Sequence, residues 1–350
     1  FNHTFYTSPE AVYVWLSGWP ASQNADAPDD AALDDAAPSV LYRLPLDGSA
    51  PRALGVAGGP TDQFSFLEAD GHLQVLVAED GDGQWMWGSE RDHSGLALLR
   101  VPLASFGDGA AAAPRAAYRP LPEAGEGPLA NRFVGSHVIY GSAPWNGERR
   151  SSQAHVVDWR TGAVASAEVP HGVERIEALG DGAVLVGSGG ADLYLSALRL
   201  GADPRVVSRY AMMGAAQGES RSHGYFYRPT DGDRGLLGLP VRRAGAGRYE
   251  SLWDGSVAVL YVENRGGALS ALGELAADPD RNADDGCRAS CVDWYGNARP
   301  LFIGGRVFAL MGYELVEGAV RRGHLREVRR ASFAPGLREA VQASQQGSGE

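Results

Sequence analysis

The chain has 350 residues, 44% of them hydrophobic and 21% charged, which excludes wholesale disorder and leaves room for one large domain or two ordinary ones. Its 43 acidic residues against 31 basic ones give a formal charge of -12, without the basic footprint of a nucleic-acid binder. With 47 Gly and 20 Pro the chain suits many short strands better than a helix bundle, and no apolar run approaches the roughly 20 residues of a membrane-spanning helix.

Taken in chain order, two kinds of hairpin alternate. In the first kind an apolar run meets Asp-Gly or Gly-Gly and returns as a second apolar run, as in residues 64–77, 176–186 and 301–310. Gly accepts positive φ at little steric cost, so these dipeptides fit the tight turns of two-residue hairpins. The second kind is an apolar strand running into a looser turn and a short strand, as in residues 41–48, 96–103, 154–162 and 192–200. Together they predict units of about four strands, beginning near Phe5, Phe64, Phe133, Ile176, Tyr225 and Leu301.

Four-stranded units at this scale predict an all-β chain, a β-propeller of roughly five to six blades over residues 1–333. Each sheet alone leaves an apolar face open, and stacking sheet on sheet buries it. A β-sandwich seldom needs more than about ten strands, and the chain has sequence for about twice that. Three stretches read as long loops: Pro20 to Pro38, Gly107 to Arg115, and Ala277 to Asn297. Residues 334–350 read as a short helix, Pro335 to Ser344, followed by a polar tail.

Several segments carry a family likeness. Residues 59–75, Gly-Pro-Thr-Asp-Gln-Phe-Ser-Phe-Leu-Glu-Ala-Asp-Gly-His-Leu-Gln-Val, resemble a hallmark segment of a secreted bacterial and archaeal β-propeller family distantly related to WD repeats. Asn131 to Tyr140 is similar to that family's Arg-Phe, Gly, Tyr hairpin, and Ser222 to Val241 to its His-containing blade ending in Leu-Pro-Val. Pro300 to Ala309 is similar to a late hairpin of the family. Ala143-Pro-Trp-Asn146 stands where the family has Asp-Pro, and Gly187-Ser-Gly-Gly190 where it has Gly-Ile-Gly. The resemblance implies architecture and an extracytoplasmic location: secreted, periplasmic or at the cell surface. It implies no catalytic residues. Members mostly carry sequence ahead of the point where this chain begins. A ring completed to about seven or eight blades by its own N-terminal fragment is therefore one expectation, and blades that close by themselves are the other.

Candidate chemistry is sparse. Asp278, Asp280, Asn282 and Asp284 place oxygen ligands at alternate positions, as a Ca²⁺ loop does. Ala283 and Ala289 stand where a helix-loop-helix site would need Gly and Glu, so a solvated acidic loop is the other reading. Cys287 and Cys291, in Cys-Arg-Ala-Ser-Cys, predict a small disulfide ring and hence an oxidising compartment. A Zn site would need more ligands nearby. Trp85 and Trp87 follow the acidic turn Glu79 to Gly83 and are candidates for gripping a sugar or peptide. Trp15, Trp19, Trp145 and Trp159 fit core or rim, and His223 reads as a satisfied structural residue. No nucleophile elbow or phosphate loop is present.

The expected function is therefore a non-catalytic binding or structural module. Two alternatives stand beside it. One is a propeller hydrolase or lyase with an acidic or metal-bearing centre. The other is a surface assembly subunit completed by strands of another chain.

Overall fold

The computed structural model describes residues 3–17, 39–78, 95–144, 151–231, 233–243, 256–278 and 298–333. Within them the chain is all-β and forms six sheets of four or five strands, antiparallel throughout apart from one parallel edge strand in the first. These are the four-stranded blades of a β-propeller. The sheets begin at His3, Gly59, Leu129, Arg175, Ala215 and Arg299; five of these lie within about five residues of the starts read from the sequence, and the fifth sheet begins ahead of the Tyr225 expected. The expected helix at 335–344, the loop at 20–38 and all but the first two residues of the loop at 277–297 lie outside the described residues.

The chain divides into two compact units, residues 1–176 with 200–205, and residues 177–199 with 206–350. In the first unit, Ala11–Leu16 shows why an alternating sequence becomes a strand. Ala11, Tyr13 and Trp15 point into the core and are fully buried, while Val12, Val14 and Leu16 stay half-buried on the other face. The core between the first and second sheets gathers Tyr13, Trp15, Leu41, Phe66, Leu73, Val75 and Phe106. The second and third sheets share Leu76, Leu98, Val138, Tyr140 and Trp159. Large side chains of this kind contribute about 1.5–3 kcal/mol each when fully buried. Trp15 and Trp159 are thus core, as the first of their two readings has it; Trp19 and Trp145 lie outside the described residues.

The turn between Phe66–Ala69 and His72–Ala78 sits at Asp70 (φ 52°) and Gly71 (φ 68°), the left-handed pair that Asp-Gly supplies most easily. Gly304 and Gly305 do the same between Arg299–Ile303 and Arg306–Met311.

Residues 107–115 depart from expectation. Instead of a loop, Asp108–Ala112 is a strand that pairs in parallel with Arg52–Val56 at the outer edge of the first sheet. Gly107 and Ala53 exchange backbone hydrogen bonds of 2.9 and 2.8 Å, and Ala113 donates to Gly55 at 2.8 Å. The Ala run has no alternation to announce a strand. It pairs because an open edge offers unpaired backbone groups, and small side chains can approach Gly55 closely. The hairpin read at 96–103 changes with it. Leu96–Pro102 takes its outer partner from Tyr118–Pro120, beyond the clasping strand.

Two side chains of the third sheet pin the connection that leads into it. Tyr140 Oη donates to the carbonyl of Pro122 at 2.7 Å and Ser142 Oγ to that of Ala124 at 2.8 Å. Asn131, Tyr140, His155 and Ser166 stand in one register row across the four strands.

In the second unit, Gly182–Gly189 and Asp192–Arg199 are buried nearly end to end, the pattern of strands covered on both faces. The fourth and fifth sheets share Val184, Leu195, Leu237, Leu239, Leu260 and Val262. The fifth and sixth share Val259, Tyr261, Leu275, Val307, Met311 and Val316.

Candidate binding site

The first strand of a sheet is interrupted twice. In the second sheet, Gly59–Pro60 and Phe66–Ala69 both pair with His72–Ala78, and a one-turn helix, Gln63–Ser65, stands between them. In the fifth sheet, Ala215–Gln217 and Phe226–Asp231 both pair with Arg234–Arg243, and Ser222–Gly224 forms the turn between. The first interruption falls in a segment that carries the family resemblance, and the second runs into another from Ser222 on.

Each interruption is held by a carboxylate. Asp62 caps its turn by accepting from the backbone N–H of Phe64 at 2.7 Å, and Ser65 Oγ accepts from the Asp62 N–H at 3.2 Å. This is a reciprocal capping box and is legible as Asp-x-x-Ser. Asn131 Nδ2, from the next sheet, donates to the same carboxylate at 3.3 Å. Burial pushes the Asp62 carboxyl up to about 6, against the pull of the Phe64 N–H, Asn131 and the Arg132 charge. Asn131 is 3% exposed, and its Oδ1 has no hydrogen-bond partner among the described residues. The Arg132 guanidinium stacks over the Phe64 ring, 4.1 Å from its centroid.

Glu219 is held more tightly. Arg221 meets its carboxylate as a fork, Nε to Oε1 at 3.0 Å and Nη2 to Oε2 at 2.9 Å, and the Arg221 backbone N–H donates to Oε1 at 2.8 Å. His223 Nε2 lies 3.0 Å from Oε2. Burial alone would raise this carboxyl, but the Arg221 hydrogen bonds and the charges of Arg221 and His223 outweigh it and hold the pKa below the usual range. His223, on the one-turn helix Ser222–Gly224, thus has a partner within the scaffold. The Glu-x-Arg-x-His spacing was a signal in the sequence that strand periodicity does not pick out.

Arg228 follows on Phe226–Asp231. Its guanidinium lies over Phe302 of the sixth sheet, 4.9 Å from the ring centroid. Its Nη1 is buried with no hydrogen-bond partner among the described residues, and no acidic side chain pairs with it there.

Of the candidate metal, disulfide and tryptophan residues at 85, 87 and 278–291, Asp278 is described. Its backbone N–H donates to Glu314 Oε2 at 2.9 Å, and Arg330 Nη1 reaches the same oxygen at 2.6 Å. Asp280, Asn282, Asp284, Cys287, Cys291, Trp85 and Trp87 lie outside the described residues. Among the described residues no group of three His, Cys, Asp or Glu side chains gathers as a metal site.

No protein-family model and no curated protein matches the chain. Solved structures with some likeness include apo AztD from Citrobacter koseri, at 10% identity over 95% of this chain and 73% of that one, with a TM-score of 0.42. Hsv2 from Kluyveromyces lactis gives 9% over 84% and 83%, with a TM-score of 0.39. A protein described as a candidate 6-phosphogluconolactonase from Bacteroides uniformis gives 10% over 95% and 85%, with a TM-score of 0.40. Likenesses this low decide nothing about chemistry. The propeller class stands on the six sheets themselves.

Proposed function

We propose that this chain is a non-catalytic binding module that works outside the cytoplasm. One observation carries the binding reading. The two carboxylates best placed for acid–base work, Asp62 and Glu219, are both tied to the backbone of the turns they hold. A side chain spent on its own scaffold is poorly available to a substrate. The extracytoplasmic location is supported by the resemblance to a secreted propeller family and by the expected Cys287–Cys291 disulfide. A mass increase of two thiol labels only after reduction would establish that disulfide. The Ca²⁺ loop at Asp278, Asp280, Asn282 and Asp284 belongs to the same proposal, supported by its oxygen spacing and checked by calcium calorimetry.

The hydrolase reading has one observation in its favour: Asp62 holds its proton up to about pH 6. The test is a panel of lactone, ester and glycoside substrates beside a thermal-shift panel of small ligands. Stabilisation without turnover is the expected result. Turnover abolished by Asp62→Asn would overturn the binding reading.

The assembly reading also has one. Phe5, Tyr42 and Leu44 are 56%, 38% and 37% exposed on one face of the first sheet, in register with Val14 and Val12. Native mass spectrometry of the protein from its source, before and after denaturation, detects a partner chain, including an N-terminal fragment of the same protein.

A further inference from the structure

We infer that Arg228 and Phe302 form a subsite for a small oxyanion, a carboxylate or a phosphate. The inference rests on the binding reading above and names its ligand class.

Each unit stacks an arginine on a phenylalanine, but with the roles reversed: Arg132 of the third sheet lies over Phe64 of the second-sheet turn, whereas Arg228 of the fifth sheet lies over Phe302 of the sixth. In the first, Arg132 stacks on Phe64 at 4.1 Å, and the Asp62 carboxylate is close enough for the two charges to interact. In the second, Arg228 stacks on Phe302 at 4.9 Å, and the carboxylate that holds the interruption of its own strand, Glu219, is taken by the Arg221 fork and His223. No other acidic side chain pairs with Arg228 among the described residues.

That arrangement is costly as it stands. A guanidinium nitrogen buried without an acceptor forfeits the hydration it had in the unfolded chain. Arg228 Nη1 is in that position. The ring beneath it offers only partial compensation, because a cation–π contact has no lone pair directed at a given N–H. The residue as a whole is half-buried, so part of the fork remains open to solvent. Stacking fixes the guanidinium plane, and a fixed planar fork suits bidentate recognition of a carboxylate or phosphate. The net charge of -12 makes an unpaired arginine more notable, since acidic partners outnumber basic groups in this chain.

Arg299 supplies an internal control. Its Nε is also buried without an acceptor among the described residues. It stands three positions before Phe302 on Arg299–Ile303, and alternation puts it on the opposite face from Pro300 and Phe302. Pro300 is the residue packed towards Gly238 of the fifth sheet, and the Phe302 ring meets Tyr261 there. Arg299 therefore lies outside the subsite.

The experiment is a thermal-shift and calorimetric titration of the full chain with inorganic phosphate and with citrate, each against sodium chloride at equal ionic strength. The wild type is expected to be stabilised by at least one of the two beyond the chloride control, and comparing them distinguishes phosphate from carboxylate. Arg228→Gln is expected to weaken that binding by roughly tenfold or more. Arg299→Gln should leave it unchanged. Arg228→Lys keeps the charge without the planar fork and should bind at an intermediate level, which separates a lost site from a misfolded variant. Equal stabilisation by chloride, or an effect of Arg299→Gln as large as that of Arg228→Gln, overturns the inference. Binding of an uncharged sugar with no response to either anion also overturns it, while leaving the binding reading intact. No ligand from the whole panel, charged or neutral, counts against both.

Discussion

His223 Nε2 sits 3.0 Å from Glu219 Oε2, on a carboxylate that already accepts two bonds from the Arg221 fork and one from its backbone. The side chain of Glu219 is 2% exposed, against 25% for His223 and 44% for Arg221. A buried anion is thus held by an arginine and a histidine that remain in touch with water. The arrangement closes a break in the first strand, between Ala215–Gln217 and Phe226–Asp231, where ladder hydrogen bonds are missing.

Removing that anion leaves Arg221 and a backbone N–H without their acceptor. Glu219→Gln is expected to cost about 1–3 kcal/mol at neutral pH by chemical denaturation. The pKa of Glu219 is held down in the fold, so its contribution is present above about pH 4.5, the unfolded value, and is lost as pH falls through the lower folded value. The gap between wild type and variant should close in acid. A gap that persists unchanged well below pH 4 would show that the carboxylate's charge does not matter.

Asp62 should behave in the opposite sense. Its pKa is raised to about 6, so the folded state holds a proton that the unfolded state has already released. Stability from this group is full below the unfolded value of about 3.9 and declines as pH rises towards 6. Asp62→Asn keeps a capping oxygen and removes the titration. The variant is expected to match or exceed wild-type stability at pH 7.5 and to lose the decline between pH 4 and 6. Melting curves across that range decide it.

The clasping strand gives a third expectation. A Cβ added to Gly55 would lie 3.2 Å from Ala112 Cβ and 3.3 Å from the Ala111 carbonyl oxygen. Gly55→Val should push Asp108–Ala112 off the sheet edge at a cost of about 1–3 kcal/mol. Hydrogen exchange reads this directly. The amides of Gly107 and Ala113, which donate to Ala53 and Gly55, should lose protection in the variant. Unchanged protection at both would mean that the edge does not depend on this contact.

Tyr140 and Ser142 test how the third sheet is joined to what precedes it. Tyr140→Phe removes a 2.7 Å bond to Pro122, and Ser142→Ala a 2.8 Å bond to Ala124. Each should cost about 1 kcal/mol. Because both bonds hold one short segment, the double variant should lose less than the sum. Strict additivity would show that the two anchors act independently.

The sequence by itself determined the class of the fold and, to within a few residues, where most of the described sheets begin. Alternation in residues 11–16 and Asp-Gly at 70–71 are local signals, because pleat and turn are settled by a residue and its near neighbours. The Asp62 capping box is local in the same way. What the tertiary structure decided is whatever depends on residues far apart in the chain. Asp108–Ala112 became a strand only because an edge formed by Arg52–Val56 stood open beside it. Asn131 reached Asp62 across 69 positions, and Arg228 found Phe302 across the seam between two sheets. Charge follows the same division. The count of acids and bases is fixed by composition, but which arginine is left without an acid is settled only when packing assigns Glu219 to Arg221 and His223.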